Sequence, residues 1–221
     1  MTKWKMTSVV LTGLLAGLLA LPVVAQTAQI DYVGFGFETG GILPSNPGDE
    51  LVIEAVAGNA DTKFAVDLGV TELTFHVSGL VSAGQVVSGG VTSINYTGGM
   101  LEIYRDGAKN ADWGINPPNP SAPSTFTDGN LFFQGEFTNF TLYFASGGYG
   151  SFVGDLNGLG GDMIDGSCSN CVYTWSGAFS PESGAQIPTG YNLQIDGVFQ
   201  IDSTVDDEVT SWGSVKALFN D

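Results

Sequence analysis

The run Leu131–Phe144 (LFFQGEFTNFTLYF) constrains the fold most, because it is the most concentrated apolar stretch after residue 25. Side chains of a strand alternate between two faces, so residues of one parity lie together. A β-bulge or a tight turn near residues 138–139 would bring the two halves of the run into phase. We therefore predict a pair of central strands here, on which a β-sheet domain assembles. The large side chains form two sets of opposite parity, Leu131, Phe133 and Phe137 before that point and Phe140, Leu142 and Phe144 after it.

Shorter runs with period-two alternation follow one another along the rest of the chain. The most regular is Tyr191–Asp202, which alternates apolar and polar residues with one exception, Val198. The 32 glycines are scattered between such runs, as is typical of short strands joined by tight turns. The other predicted strands are Ile30–Phe37, Leu51–Val56, Leu68–Leu80, Gln85–Tyr96, Met100–Arg105, Ser151–Leu156 and Val172–Phe179.

These patterns predict an all-β domain over residues 26–202, because no long stretch of it has the 3.6-residue period of an amphipathic helix. About nine or ten short strands separated by turns are typical of a two-sheet antiparallel β-sandwich or jelly roll. A closed barrel is the alternative. The chain is 43% hydrophobic, so it can bury a core despite its formal net charge of −17.

The first 25 residues have the features of an export signal. Lys3 and Lys5 precede the apolar core Val9–Leu21, which is short for a membrane-spanning helix. Pro22 ends that core, and small residues lead to Ala25, where we predict cleavage. The protein is then expected outside the cytoplasm, secreted or at the cell surface, with no transmembrane segment after signal removal.

The longest irregular stretch is residues 106–130, a loop whose four prolines exclude a central strand. Connections of this length are uncommon unless they carry a function or move. Trp113 stands in it next to Asp112 and near Asp106, an arrangement that can stack on and hydrogen-bond a sugar ring. The other interpretation is a loop plug, in which Trp113 packs over the end of the domain.

The two cysteines, Cys168 and Cys171, are predicted to form a disulfide, since paired cysteines of exported proteins oxidise. A thioredoxin-like redox pair would need a βαβ setting, and a zinc site would need two further ligands.

Oxygen-bearing side chains cluster in the glycine-rich stretch that follows Ser151–Leu156. Hard cations need only clustered oxygen ligands, so calcium is the one candidate cofactor. The EF-hand pattern does not match, because Leu159 occupies the third ligand position. The candidate ligands are Asp155, Asn157, Asp162 and Asp165.

Catalysis finds little support in the sequence. His76 is the single histidine, and it lies on the polar face of its strand, where we expect it to be solvated. Glycosidases need only two suitably spaced carboxylates, so a glycoside-acting enzyme is the third hypothesis for function. Glu136 is flanked by hydrophobes in the central run, but it is expected to face outward.

Residues 203–221 differ from the domain before them. An acidic spacer leads to a short amphipathic segment in which Trp212, Val215 and Phe219 recur at helical spacing. Such a short helix is not stable alone, so its apolar stripe must dock on something. It docks either on the domain itself or on an export or anchoring partner that recognises it as a tag.

Together these features predict an exported, non-catalytic structural or matrix protein of the cell surface or the extracellular space. The alternative is a carbohydrate-binding or adhesive module that uses the loop 106–130. Expected partners are other copies of the chain, other surface proteins or carbohydrate. The negative charge excludes nucleic acid and anionic membranes as partners.

The disulfide prediction is tested by intact mass measured before and after reduction, with alkylation at each step. We expect both thiols to be blocked in the unreduced protein and both to be alkylated after reduction. Two alkylated thiols in the unreduced protein would contradict the prediction.

Overall fold

A computed structural model of the chain describes residues 27–114, 122–145, 149–163, 171–181 and 187–203. These residues belong to one compact unit, Gln26–Thr204. Within them lie nine strands and two short 3-10 helices, and no α-helix. The strands are β1 (Thr27–Glu38), β2 (Glu50–Ala60), β3 (Glu72–Ser88), β4 (Val91–Thr97), β5 (Met100–Asp106), β6 (Asn130–Phe144), β7 (Gly150–Gly160), β8 (Cys171–Pro181) and β9 (Leu193–Ser203).

The strands form a single antiparallel sheet that closes on itself. The neighbours follow the order β2-β1-β9-β8-β7-β6-β4-β3-β5, and the further pairings β2–β3 and β6–β5 complete the ring. β4 and β5 share one position between β3 and β6, so the sheet is an eight-strand barrel. The all-β prediction is thus confirmed, and the closed-barrel alternative describes the pairing better than a two-sheet sandwich.

The central run forms one strand rather than the predicted pair. β6 is continuous over Asn130–Phe144, so the strand-pair prediction was wrong. The predicted bulge is present, because the register against β7 shifts between Phe137 and Asn139. The extra residue restores the phase, and the aromatic side chains on both sides of the bulge are buried.

Two other predicted strand boundaries differ from those of the structure. β3 extends to Ser88, and the turn at residues 89–90 leads into β4, so the predicted strand Gln85–Tyr96 spans parts of both strands. β7 continues to Gly160 through part of the stretch predicted to be a glycine-rich loop. At residues 89–90 two glycines with positive φ form the turn that divides the predicted strand, whereas in β7 backbone pairing with β6 overrides the low strand preference of glycine.

Aromatic side chains fill the barrel around Trp175, which is fully buried on β8. Its ring lies 5.2 Å from Tyr32 and 5.1 Å from Phe152, measured between ring centroids. Phe137 and Phe140 lie at 5.9 Å each. Rings at these separations interact favourably beyond the area they bury, so Trp175 links β8 to β1, β6 and β7 through the core.

Glycines inside the strands make room for these rings. A Cβ atom at Gly154 would lie 2.7 Å from the Phe137 ring and 2.8 Å from the Phe140 ring. At Gly197 it would lie 2.6 Å from the hydroxyl oxygen of Tyr32. These glycines therefore serve packing rather than turns, and an eight-strand barrel has just enough interior for such side chains.

The ends of the chain lie outside the described residues. This includes the predicted signal, residues 1–25, and the predicted tail helix with Trp212, Val215 and Phe219, so the docking of the tail stays a prediction. Among the described elements, no helix is long and apolar enough to span a bilayer.

The interior glycines lead to a test of the packing. We expect Gly154→Ala to lower the free energy of unfolding by about 1–3 kcal/mol, because the added methyl group overpacks the aromatic core. Gly58→Ala on β2 is the matched control, since a Cβ atom there meets nothing within 4 Å. Urea denaturation of both variants measures the difference. Equal stability of the two variants would contradict the packing described.

Candidate functional site

A row of polar side chains crosses the outer wall of the barrel. Glu54 on β2 is paired with His76 on β3, and His76 is paired with Glu102 on β5. Outward-facing residues in register lie side by side, so the imidazole of His76 stands between two carboxylates. Its Nδ1 lies 2.9 Å from Oε1 of Glu54. Gln134 on β6 continues the row and donates from Nε2 to Oε1 of Glu102 at 2.8 Å.

The start of the 106–130 loop covers one end of this row. The indole nitrogen of Trp113 donates to the main-chain oxygen of Glu54 at 3.4 Å. The Trp113 ring contacts Phe35 edge-on at 5.2 Å and Phe126 at 5.5 Å. The hydroxyl of Tyr191 donates to the Trp113 carbonyl at 3.1 Å. Although Glu54 faces out of the barrel, these contacts cover it, and it is only 1% exposed.

Burial sets the charge state of this pair. Desolvation raises the pKa of the Glu54 carboxyl more than the hydrogen bond and the charge of His76 lower it. Desolvation lowers the pKa of His76, but the hydrogen bond to Glu54 and the charges of Glu54 and Glu102 together raise it above its usual range. Oε2 of Glu54 is buried and has no hydrogen-bond partner among the described residues. The pair therefore holds a proton more firmly than isolated side chains do.

The prediction that His76 is solvated was wrong. Its side chain is only 12% exposed and is paired with a buried acid. The alternation of β3 does place it on the outer face, as expected. The cause of its burial lies elsewhere in the chain, because residues after β5 return to cover that face.

A second buried carboxylate, Glu38, lies at one end of the barrel. Ser45 donates to its Oε1 at 2.5 Å, and the hydroxyl of Tyr96 donates to its Oε2. The hydroxyls of Ser45 and Ser82 lie 2.6 Å apart. Desolvation raises the pKa of Glu38 and also that of Tyr96. Both carboxylate oxygens of Glu38 have partners, so this buried carboxylate is satisfied by hydroxyl groups of the protein.

The three residues predicted to bind a ligand in the loop lie in different settings. Asp106 ends β5 and accepts the amide hydrogen of Ala108 through Oδ1 at 3.0 Å, while its Oδ2 is buried with no partner in the ranges that the structure describes. Asp112 is exposed and accepts the amide hydrogen of Gly114 at 2.8 Å. Trp113 is half-buried, and its contacts are those of the loop-plug interpretation. They place the plug on the wall of the barrel rather than over its end.

The predicted calcium ligands are spread along β7 and beyond it. Asp155 accepts from Asn139 at 2.8 Å, and Asp162 forms an ion pair with Arg105 at 3.2 Å. Asn157 is exposed on β7, and Asp165 lies outside the described residues. In the ranges that the structure describes, no three His, Cys, Asp or Glu side chains are grouped as a metal site would require. The calcium site stays a prediction.

The structure describes one of the two cysteines of the predicted disulfide. Cys171 begins β8 and is not a free cysteine. Cys168 lies outside the described residues, so the bond between the two stays a prediction.

Comparison of the chain with protein-family models, curated proteins and solved structures found no match. The chemistry of the Glu54–His76 pair is therefore argued from its own residues. The sequence does contain a signal for it, because Glu54 is an acidic residue inside the apolar run Leu51–Val56. A charge in such a run is either outward and solvated or buried with a partner, and His76 is the partner here.

Stability should fall as the pH rises, because of the Glu54–His76 pair. Both folded-state pKa values are raised, so the folded protein binds more protons than the unfolded chain above about pH 4.5. The contribution of His76 to the free energy of unfolding is fully present below the ordinary pKa of histidine, about 6.5. It is lost as the pH rises through the raised pKa that His76 has in the folded protein.

The measurement is the free energy of unfolding from pH 5 to pH 9 for the wild type and for Glu54→Gln/His76→Gln. Glu38 titrates with the same sign and is unchanged in the double variant, so the difference isolates the pair. We expect a steeper fall in the wild type. The same pH dependence of stability in both proteins would contradict the claim that the pair binds a proton more firmly in the folded state.

The contacts of Trp113 predict a structural role for its ring. Trp113→Ala should lower the free energy of unfolding by about 2 kcal/mol, because it removes the packing on Phe35 and Phe126 and exposes Glu54. Chemical denaturation measures this, and Trp113→Phe, which keeps an aromatic ring, should recover part of the loss. Unchanged stability of the alanine variant would show that the plug contributes nothing.

Proposed function

We propose that this protein is exported and acts outside the cytoplasm as a non-catalytic structural protein of the cell surface or the matrix. The observation that carries the proposal is the aromatic filling of the barrel around Trp175. Space filled by side chains supplies rigidity rather than a chamber for a substrate. The export features of residues 1–25 and the acidic composition support a place outside the cytoplasm.

The partners in this proposal are proteins of the same surface, including other copies of the chain. A closed barrel has few free strand edges, so strand addition along the sheet is disfavoured. Contacts between whole surfaces are the remaining mode of assembly. Because the chain carries a net charge of −17, such contacts should weaken at low ionic strength, where like charges repel most.

A carbohydrate-binding or adhesive module that uses the loop 106–130 is the second candidate. It is supported by the exposure of Asp112 beside Trp113. A free carboxylate oxygen can accept a hydrogen bond from a sugar hydroxyl. The packing of the Trp113 ring on Phe35 and Phe126 argues against it, since a stacking ring needs a free face.

Cell fractionation with an antibody against the native protein tests the main proposal. We expect the protein in the surface or matrix fraction, with an N-terminus near Gln26 by sequencing. Removing the gene should weaken attachment or integrity of that layer without loss of an enzymatic activity. Cytoplasmic protein with Met1 intact would contradict the proposal, and a missing hydrolytic activity in the mutant would favour an enzyme.

A further inference from the structure

A trough crosses the outer wall of the barrel over β6, β7, β8 and β9. Four outward-facing residues lie in register across these strands, namely Tyr143, Ser151, Ala178 and Asp196. The two in the middle are small and form a floor, while Tyr143 and Asp196 stand at its sides. All four are exposed. The trough therefore presents to solvent an aromatic ring on one side, a carboxylate on the other and two small side chains between them.

Tyr149 stands over this trough and divides it into two clefts. Its side chain is 65% exposed, although it is a large aromatic ring. One cleft, of about 440 Å³, lies between Tyr149 and Tyr143, and the other, of about 330 Å³, lies between Tyr149 and Asp196. Both volumes are within the range of small-molecule sites, about 300–1,000 Å³.

The position of Tyr149 follows from the residue after it. A Cβ atom at Gly150 would lie 2.1 Å from the main-chain oxygen of Tyr143 and 2.3 Å from the Phe179 ring. Residue 150 must therefore be glycine for β7 to approach β6 and β8 at this point. The amide of Ala145 donates to the carbonyl of Tyr149 at 2.9 Å, which holds Tyr149 beside the trough.

The polar side chains of the trough form no hydrogen bonds within the part of the chain that the structure describes. The second cleft is lined by the carboxylate of Asp196, the amide of Gln194 and the hydroxyl of Ser180. None of these side chains, nor the Tyr149 hydroxyl, forms a hydrogen bond to any residue that the structure describes. Both tyrosine rings and these hydrogen-bonding groups are therefore open to a ligand.

We propose that this trough binds a neutral oligosaccharide. Sugar rings combine apolar C–H faces, which stack on aromatic rings, with hydroxyls that bond to carboxylate, amide and hydroxyl groups. The carboxylate of Asp196 and the net charge of the chain exclude anionic saccharides. The two clefts on either side of Tyr149 correspond to two neighbouring sugar subsites. The inference goes beyond the structural role proposed above and does not depend on the loop 106–130.

Affinity gel electrophoresis with soluble polysaccharides tests the trough. The neutral probes are hydroxyethylcellulose, galactomannan, laminarin and xyloglucan, and the anionic probe is polygalacturonate. We expect at least one neutral probe to retard the protein and polygalacturonate to have no effect. Tyr149→Ala should weaken that retardation at least tenfold, and Asp196→Ala should weaken it as well. Tyr149→Phe, which keeps the ring, should retain most of it.

Val70→Ala is the matched control, because Val70 is 66% exposed and lies before β3, away from the trough. It should bind as the wild type does, and all variants should keep the wild-type melting temperature. Retardation by no neutral probe would overturn the proposal, as would unchanged binding by Tyr149→Ala. Loss of binding in Trp113→Phe with retention in Tyr149→Ala would also overturn it and would place the sugar at the loop.

Discussion

The packing of aromatic rings around Trp175 is the interaction on which the rest of this structure depends. The ring of Trp175 contacts rings from β1, β6 and β7, so it joins strands that lie far apart in the sequence. The barrel can close around such large side chains only where the facing positions are glycine, as Gly154 and Gly197 are. Burying these rings supplies the hydrophobic free energy that fixes the curvature of the sheet.

Closure of the sheet determines where function can lie. Because side chains occupy the inside, ligands and partners are left with the outer wall and the loops. Two features distinguish that wall. The Glu54–His76 pair is mostly buried, with Trp113 bonded to the main chain of Glu54, whereas the trough beside Tyr149 is open and its polar side chains bond to no residue that the structure describes. The first lies beneath the covering loop, and the second is the site that we propose for an oligosaccharide.

Local sequence patterns predicted the local parts of this structure and failed where distant residues decide. Alternation and glycine punctuation identify the strands, and the change of parity within Leu131–Phe144 identifies the bulge of β6. The same alternation occurs in sandwiches and barrels, so it cannot show that β1 pairs with β9. Likewise, the alternation of β3 places His76 outside, but nothing local indicates that residues after β5 cover that face and the neighbouring Glu54. The trough was missed because its members come from four strands.

Closure of the barrel is the central claim, and backbone NOEs measured by NMR test it most directly. The ring predicts cross-strand NOEs between Gly34 and Ile195, which join β1 to β9, and between Ala55 and Phe75, which join β2 to β3. Backbone amides of β1 and β9 should exchange slowly with deuterium, since both strands are paired on each side. Absence of either set of NOEs, together with fast exchange along one strand, would show an open edge and contradict the barrel.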